Sequence, residues 1–167
     1  MMESIAYKSA IGALQADHER WVKEVIQITE IPAPPFKEQV RAAAYKVMLK
    51  AHGLTDVEID VEGNAMSLRK GTGGGALVVV SAHLDTVFPE GTNVTVKREG
   101  SRLHAPGVGD DSAGLATLLS LVRAMDAAGV KTKNDILFVG DVGEEGLGDL
   151  RGMRHLFTKG NYKDQIK

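Results

Sequence analysis

The stretch LVVVSAHLDT at residues 77–86 decides the fold, because an apolar, mostly β-branched run stops abruptly at a histidine and an aspartate. Residues 77–80 have the pattern of a strand buried on both faces, and His83 lies just beyond them. A second run of this kind, ILFV at residues 136–139, precedes two adjacent glutamates. The sequence therefore predicts two buried strands, each followed closely by acid or histidine side chains.

The segment between these strands predicts how they are joined. Apolar residues recur there at helical spacing, namely Leu115, Leu118, Leu119, Val122 and Met125. A strand, a loop, a helix and a second strand form a crossover between two parallel strands. Parallel strands end at the same edge of a sheet, so His83 and Glu145 are expected at one rim. Asp110 stands immediately before the helix and is expected at the same rim.

Imidazole and carboxylate groups meeting at one rim favour a site for two metal ions. Zinc suits this ligand mixture best, with Co²⁺ or Mn²⁺ as substitutes. Asp110 can bridge two cations about 3.5 to 4 Å apart, while His83 and Glu145 each bind one of them. Two positions apart in an extended segment, His83 and Asp85 point the same way, so we expect the Asp85 carboxylate to accept the ring N–H of His83. The predicted catalytic groups are Asp85 and Glu144, the latter as general base.

Three stretches of the chain resemble di-zinc metallopeptidase family 20, namely SAHLDTVFPEGT, HAPGVGDDSAG and VGEEGLGDLRG. This family includes carboxypeptidase G, succinyl-diaminopimelate desuccinylase, acetylornithine deacetylase, aminoacylase and peptidase T. The resemblance covers essentially the whole chain, starting from ITEIPAPPFKEQ. It implies His83 and Glu145 as terminal zinc ligands, Asp110 as the bridge, Asp85 behind the histidine and Glu144 as the base. It also implies a cis peptide bond after Asp110.

Other members of that family supply a further carboxylate ligand shortly after the paired glutamates, a final histidine ligand, and an inserted lid or dimerisation domain. After Glu145 this sequence offers only Asp149, His155 and Asp164. Asp149 fits the N-cap of a helix that contains His155. We therefore expect residues 1–167 to form a single N-terminal portion of the catalytic domain, lacking the lid and the C-terminal part, with an incomplete and inactive metal site.

The expected architecture is α/β, a truncated three-layer α/β/α sandwich around a mixed, mostly parallel sheet. The same patterns predict helices near residues 22–26 and 40–51, and strands at 57–61, 65–68, 93–97 and 102–104. Gly53 is expected to close the second helix, and Asp111 to cap the helix that follows it. Asp141 is either a support for the site or a plain strand-end acid. His52 lies among charged neighbours and is expected in solvent.

Composition limits the partners. A net charge of −2 gives no long-range attraction for nucleic acid or an anionic membrane, and no stretch is apolar enough to span a bilayer. The absence of cysteine excludes thiolate zinc sites. A cytoplasmic location is the default expectation, and the resemblance implies a small peptide or an N-acyl amino acid as the substrate. Apolar surface left open by the truncation favours a homo-oligomer.

Three alternatives stay open. A related co-catalytic zinc aminopeptidase shares the acid and histidine arrangement, although residues 143–152 and the proline-rich segment argue against it. A two-metal phosphodiesterase or nuclease would require a basic cleft, which the acidic balance disfavours. The third alternative is a non-catalytic fragment or pseudoenzyme that acts only through interaction. The GTGGGA run at residues 71–76 precedes a strand rather than opening a helix, so a dinucleotide site is disfavoured.

Overall fold

A mixed sheet of four strands forms the centre of the structure, a computed structural model that describes residues 4–166. The helices are α1 (Ile5–Ala16), α2 (His18–Thr29), α3 (Gln39–Ala51), α4 (Ser112–Ala127) and α5 (Arg151–Thr158). The strands are β1 (Thr55–Ile59), β2 (Ala65–Arg69), β3 (Val78–His83), β4 (Lys97–Glu99), β5 (Arg102–His104) and β6 (Ile136–Asp141). None of these helices combines the length and the apolar character that crossing a bilayer requires.

The strand order in the sheet is β1-β2-β6-β3, and β4 and β5 form a separate hairpin. β3 and β6 are parallel and joined through α4, as the crossover argument predicts. β1 and β2 form an antiparallel pair, and β2 is also antiparallel to β6. The predicted α/β fold with a mixed sheet is confirmed, although among residues 4–166 the parallel share of the sheet is smaller than expected.

Two apolar cores lie on opposite faces of β6, which gives the molecule its layers. Ile136 and Phe138 point into the larger core beneath α2, α3 and α4, whereas Leu137 and Val139 point into the smaller core beneath α5. Every residue of β6 is buried, because neighbouring strands and helices cover it on all sides. Gly140 is required in this strand, since a Cβ there would lie 2.8 Å from the Tyr45 ring.

β3 is an edge strand and is only partly buried, so the prediction of a strand buried on both faces is wrong. Val78 is 42% exposed and Ser81 is also exposed. β3 pairs with β6 on one side, and on its other side residues 4–166 provide a single bridge between Leu77 and Ile166. Much of the outer edge of β3 therefore keeps backbone groups available for another strand.

Helix ends agree with the sequence in two cases and differ in a third. Gly53 follows α3 with a φ of 69°, and the Asp111 carboxylate accepts the Gly114 amide at 3.0 Å at the start of α4. The predicted N-cap role of Asp149 is wrong, because Leu150 precedes α5 and the Asp149 carboxylate instead pairs with Arg154. Asp149 and Leu150 both have a left-handed backbone, which places the helix start one residue later.

His52 is not in solvent, contrary to expectation. Its side chain is 4% exposed, and its Nε2 lies 2.7 Å from a guanidinium nitrogen of Arg123. Arg123 also donates to Asp17 at 2.8 Å and to Glu24 at 2.9 Å. This buried polar cluster joins α1 and α2 to α3 and α4. The charged neighbours in sequence suggested solvent, whereas in the fold they supply the partners of the buried ring.

Candidate metal centre

The predicted site lies where β3 and β6 end side by side. His83, the last residue of β3, pairs in register with Asp141, the last residue of β6. The N-terminus of α4 and the glutamate pair face the same point, and together they line a cavity of about 490 Å³. His83, Asp110, Glu144 and Glu145 all contribute to its wall. The structure therefore brings the sequence-predicted ligands to one edge of the sheet.

Their side chains are close enough to share metal ions. Ligand atoms of His83, Glu144 and Glu145 all lie within 4.8 Å of one another. The Nε2 of His83 is 2.9 Å from Oδ1 of Asp110 and 4.0 Å from Oε2 of Glu144. The Asp110 side chain is exposed, and within this group its hydrogen-bond partner is His83. Both glutamates are thus within reach, and the division between ligand and base stays a prediction.

Asp85 has a different role from the one expected. The ring Nδ1 of His83 donates to the backbone carbonyl of Asp85 at 2.9 Å, while the nearer carboxylate oxygen of Asp85 is 3.8 Å away. The carboxylate instead accepts the backbone amides of Glu144 at 3.0 Å and of Glu145 at 2.9 Å. It is fully buried. One residue therefore fixes the histidine ring through its carbonyl and the glutamate pair through its carboxylate.

Asp111 connects the end of β3 to the start of α4. One of its carboxylate oxygens accepts the backbone amide of His83 at 3.2 Å, and the other caps the helix. The peptide bond between Asp110 and Asp111 is cis, as the resemblance implies. The sequence pattern predicts the cap but does not indicate the contact with His83, which lies 28 residues earlier.

The loop carrying the glutamates is held from outside the site. The amide of Arg151 donates to the carbonyl of Gly143 at 3.2 Å, closing the loop at its base. The guanidinium of Arg151 binds both carboxylate oxygens of Glu38 at 2.8 Å and one oxygen of Glu62 at 3.1 Å. Gly143 has a φ of 65°, and a Cβ there would lie 2.5 Å from the Arg151 side chain. No sequence pattern indicates these ion pairs, because Arg151 lies far along the chain from Glu38 and Glu62.

Acidic groups crowd the site and raise the pKa of two of its side chains. Burial alone would lower the pKa of His83, but the hydrogen bond to Asp110 and the nearby carboxylates raise it above its ordinary value. Burial raises the pKa of Glu145, and the charges of Asp110 and Glu144 raise it further. A cation entering the cavity would compete with protons for these side chains. Metal binding is therefore expected to strengthen as the pH rises.

Asp141 is a buried carboxylate that the sequence only partly identified. Its side chain lines the cavity and is 3% exposed, and its Oδ2 has no hydrogen-bond partner within residues 4–166. Burial raises its pKa to about 7. Within those residues, Oδ2 therefore gives the site no hydrogen-bond support. The sequence signal is an aspartate closing a strand that is otherwise buried and largely apolar.

A family model now connects this geometry to known proteins. The model of peptidase family M20/M25/M40 matches residues 79–167, slightly more than half of the chain. The chain belongs to this family. The match starts in β3 and takes in His83, both aspartates at the start of α4 and the glutamate pair. It confirms the resemblance stated from the sequence.

Known proteins resemble the chain in sequence or in fold. Carboxypeptidase G2 from Pseudomonas sp. (strain RS-16) is 31% identical over 84 residues, which are 49% of this chain and 20% of that protein. The solved di-peptidase Dug1p from Saccharomyces cerevisiae gives a TM-score of 0.77 at 14% identity over 96% of this chain and 39% of that one. The YXEP protein of Bacillus subtilis, described as a dinuclear metal-binding M20 peptidase, gives 0.68 at 16% identity over 92% and 42%.

These matches show that this chain has the same fold as the corresponding parts of the two solved structures. The chain spans about two fifths of the length of the two solved structures. Human carnosine dipeptidase 1 repeats the pattern, with a TM-score of 0.75 at 12% identity over 98% of this chain and 40% of that one.

Proposed function

We propose that this chain carries part of the active site of a metal-dependent peptidase or amidohydrolase that cleaves an amide bond in small peptides or N-acyl amino acids. The observation that carries the proposal is the meeting of His83, Glu144 and Glu145 at the edge of the sheet, with Asp110 on the histidine. The peptidases and dipeptidases among its relatives support the same class of reaction.

The donor set fits zinc. The available groups are one imidazole and several carboxylates, without thiolates, which is the mixture found in catalytic zinc sites. His83 and Glu145 would each bind one ion, and Asp110 would bridge the two. Bound zinc supplies Lewis acidity toward water and the scissile carbonyl. Co²⁺ and Mn²⁺ are the proposed substitutes.

Glu144 is the proposed group that transfers the proton of the attacking water. Glu144 is adjacent to Glu145 and lies 4.0 Å from His83, so its carboxylate can take a proton from the attacking water and return it to the leaving amine. Asp85 contributes by holding the backbone of both glutamates. It supports the reaction without touching the substrate.

The isolated chain is expected to bind zinc weakly and to lack amidase activity. Residues 4–166 offer one terminal ligand for each ion besides the shared Asp110, and the acids that remain repel one another. Calorimetry with Zn²⁺ and hydrolysis assays on dipeptides and N-acyl amino acids measure these two properties. Tight binding of two zinc ions with hydrolysis by the monomer would contradict the incomplete site. An active form of the protein lacking metal would contradict the proposed chemistry.

The chain is also expected to self-associate through the open edge of β3. A lysine on an edge strand opposes strand addition, so Val78→Lys should shift the light-scattering mass toward the monomer. Val47→Lys on the exposed part of α3 is the matched control and should leave the mass unchanged. Equal effects of both substitutions would point to a surface other than β3.

A further inference from the structure

Arg41 is among the most deeply buried side chains, with 1% exposed, although it carries a charge. It lies on α3, before the segment that the family model matches. Within residues 4–166 no carboxylate forms an ion pair with it, and all three of its hydrogen bonds go to backbone carbonyls. Burying a cation is costly, and the charge of Asp85 offsets the desolvation of Arg41 only in part, so its burial requires an explanation.

One of these carbonyls belongs to the segment at residues 83–85, which carries His83 and Asp85 of the candidate metal centre. Arg41 donates through Nη1 to the carbonyl of Leu84 at 2.8 Å, and Leu84 stands between His83 and Asp85. The amide of Leu84 donates to the carbonyl of Asp141 at 2.6 Å. Both peptide groups flanking this residue are therefore fixed, one by the sheet and one by Arg41. Rotation of either would move the histidine ring or the Asp85 carboxylate.

The other carbonyls belong to the segment at residues 29–33. Arg41 donates through Nε to Ile31 at 2.8 Å and through Nη2 to Thr29 at 3.4 Å. The amide of Thr86 donates to the carbonyl of Ala33 at 3.0 Å, so residues 29–33 run beside the segment at residues 83–85. The planar guanidinium thus joins two stretches of backbone in a fixed geometry, which a flexible ammonium group does not reproduce.

We propose that Arg41 is a positioning residue for the metal centre. By holding the Leu84 carbonyl it sets the orientation of the segment at residues 83–85, and through the Asp85 carboxylate it places the backbone of Glu144 and Glu145. The link to metal binding rests on the proposed function, whereas the placement of the two glutamate amides does not. Arg41 is thereby connected to the glutamates through Leu84 and Asp85, with no direct contact.

Hydrogen exchange of individual amides, followed by NMR in the whole chain, tests the placement. In Arg41→Met, exchange of the Glu144 and Glu145 amides should rise by about tenfold relative to the β6 amides of Leu137 and Phe138. Arg123→Met is the matched control, because it also removes a largely buried arginine, with 13% of its side chain exposed, but one that lies about 16 Å along α4 from Ser112. Its ratio of loop to strand exchange should stay unchanged.

A purely structural role predicts something different. If Arg41 only stabilises the fold, exchange in Arg41→Met will rise equally at the glutamates and in β6, and this result would overturn the proposal. Should Arg41→Met fail to fold, Arg41→Lys provides the same comparison. Lysine keeps the positive charge but loses the planar guanidinium group, so it should raise the ratio of glutamate-amide exchange to β6-amide exchange by a smaller factor. An unchanged ratio in folded Arg41→Lys would also overturn the proposal.

A titration with Zn²⁺ alone connects the placement to the metal. Arg41→Met should weaken zinc binding by about tenfold, as expected for the loss of a group that orients ligands, while Arg123→Met should bind as the wild type does. Unchanged affinity in Arg41→Met would overturn the link to the metal centre. Absence of zinc binding in the wild type would instead count against the proposed function, and the exchange ratios would still decide the role of Arg41.

Discussion

Replacing Glu144 by Gln in a catalytically active form of the protein is expected to lower turnover by about 10²- to 10⁴-fold with nearly unchanged metal content. Glutamine keeps the size and the hydrogen-bonding reach of the side chain but cannot accept a proton from water. The Glu144 backbone amide would still bind Asp85, so the loop should keep its position. Steady-state kinetics and metal analysis of the purified variant measure the two quantities.

Glu145→Gln is the matched control, since it makes the same chemical change at the adjacent position. A terminal ligand that becomes neutral binds a cation less well, so this variant should lose metal as well as turnover. Equal metal loss in both variants would show that the two glutamates share the ligand role. Retained metal with low turnover only in Glu145→Gln would mean that the roles are reversed.

Asp141→Asn should make the metal-free chain more stable than the wild type at pH 8 but not at pH 4. Burial raises the pKa of Asp141 to about 7, so the folded state binds its proton more tightly than the unfolded state does. Its contribution to stability is fully present below about pH 4 and is lost as the pH rises through 7. The largest difference between the two proteins is on the order of 4 kcal/mol.

Urea denaturation between pH 4 and pH 8, with a chelator present, measures this difference. Asp135→Asn is the control of opposite sign. The amide of Gly71 and the ammonium of Lys70 lower the pKa of Asp135, so its contribution is present at neutral pH and lost as the pH falls. A stability difference between Asp141→Asn and the wild type that does not vary with pH would show that Asp141 is ionised in the fold.

Periodicity and placement predicted the part of the fold that positions the site. The apolar runs of β3 and β6 and the helical spacing of α4 specify a parallel crossover, and chain geometry then puts His83 and Glu145 at one rim. The edge position of β3 could not be predicted, because an apolar run is the same whether one or two strands flank it. What distinguishes the cases is pairing, which is a property of the whole sheet.

Contacts between backbone and distant side chains were the part of the site that could not be predicted. The Asp85 carboxylate binds amides 59 and 60 residues away, and every residue has an amide, so no residue type marks the partner. The spacing of His83 and Asp85 brought Asp85 into the site but assigned its carboxylate to the histidine ring instead of to these amides. Arg41 was missed for the same reason, since its acceptors are carbonyls.

The grip of the Asp85 carboxylate on two consecutive amides has a mechanical consequence. The backbones of both glutamates are bound to one anchor, which lies two residues beyond the end of β3, so loss of that anchor would free both residues at once. Displacement of the loop would therefore remove the proposed ligand Glu145 and the proposed base Glu144 from the site together.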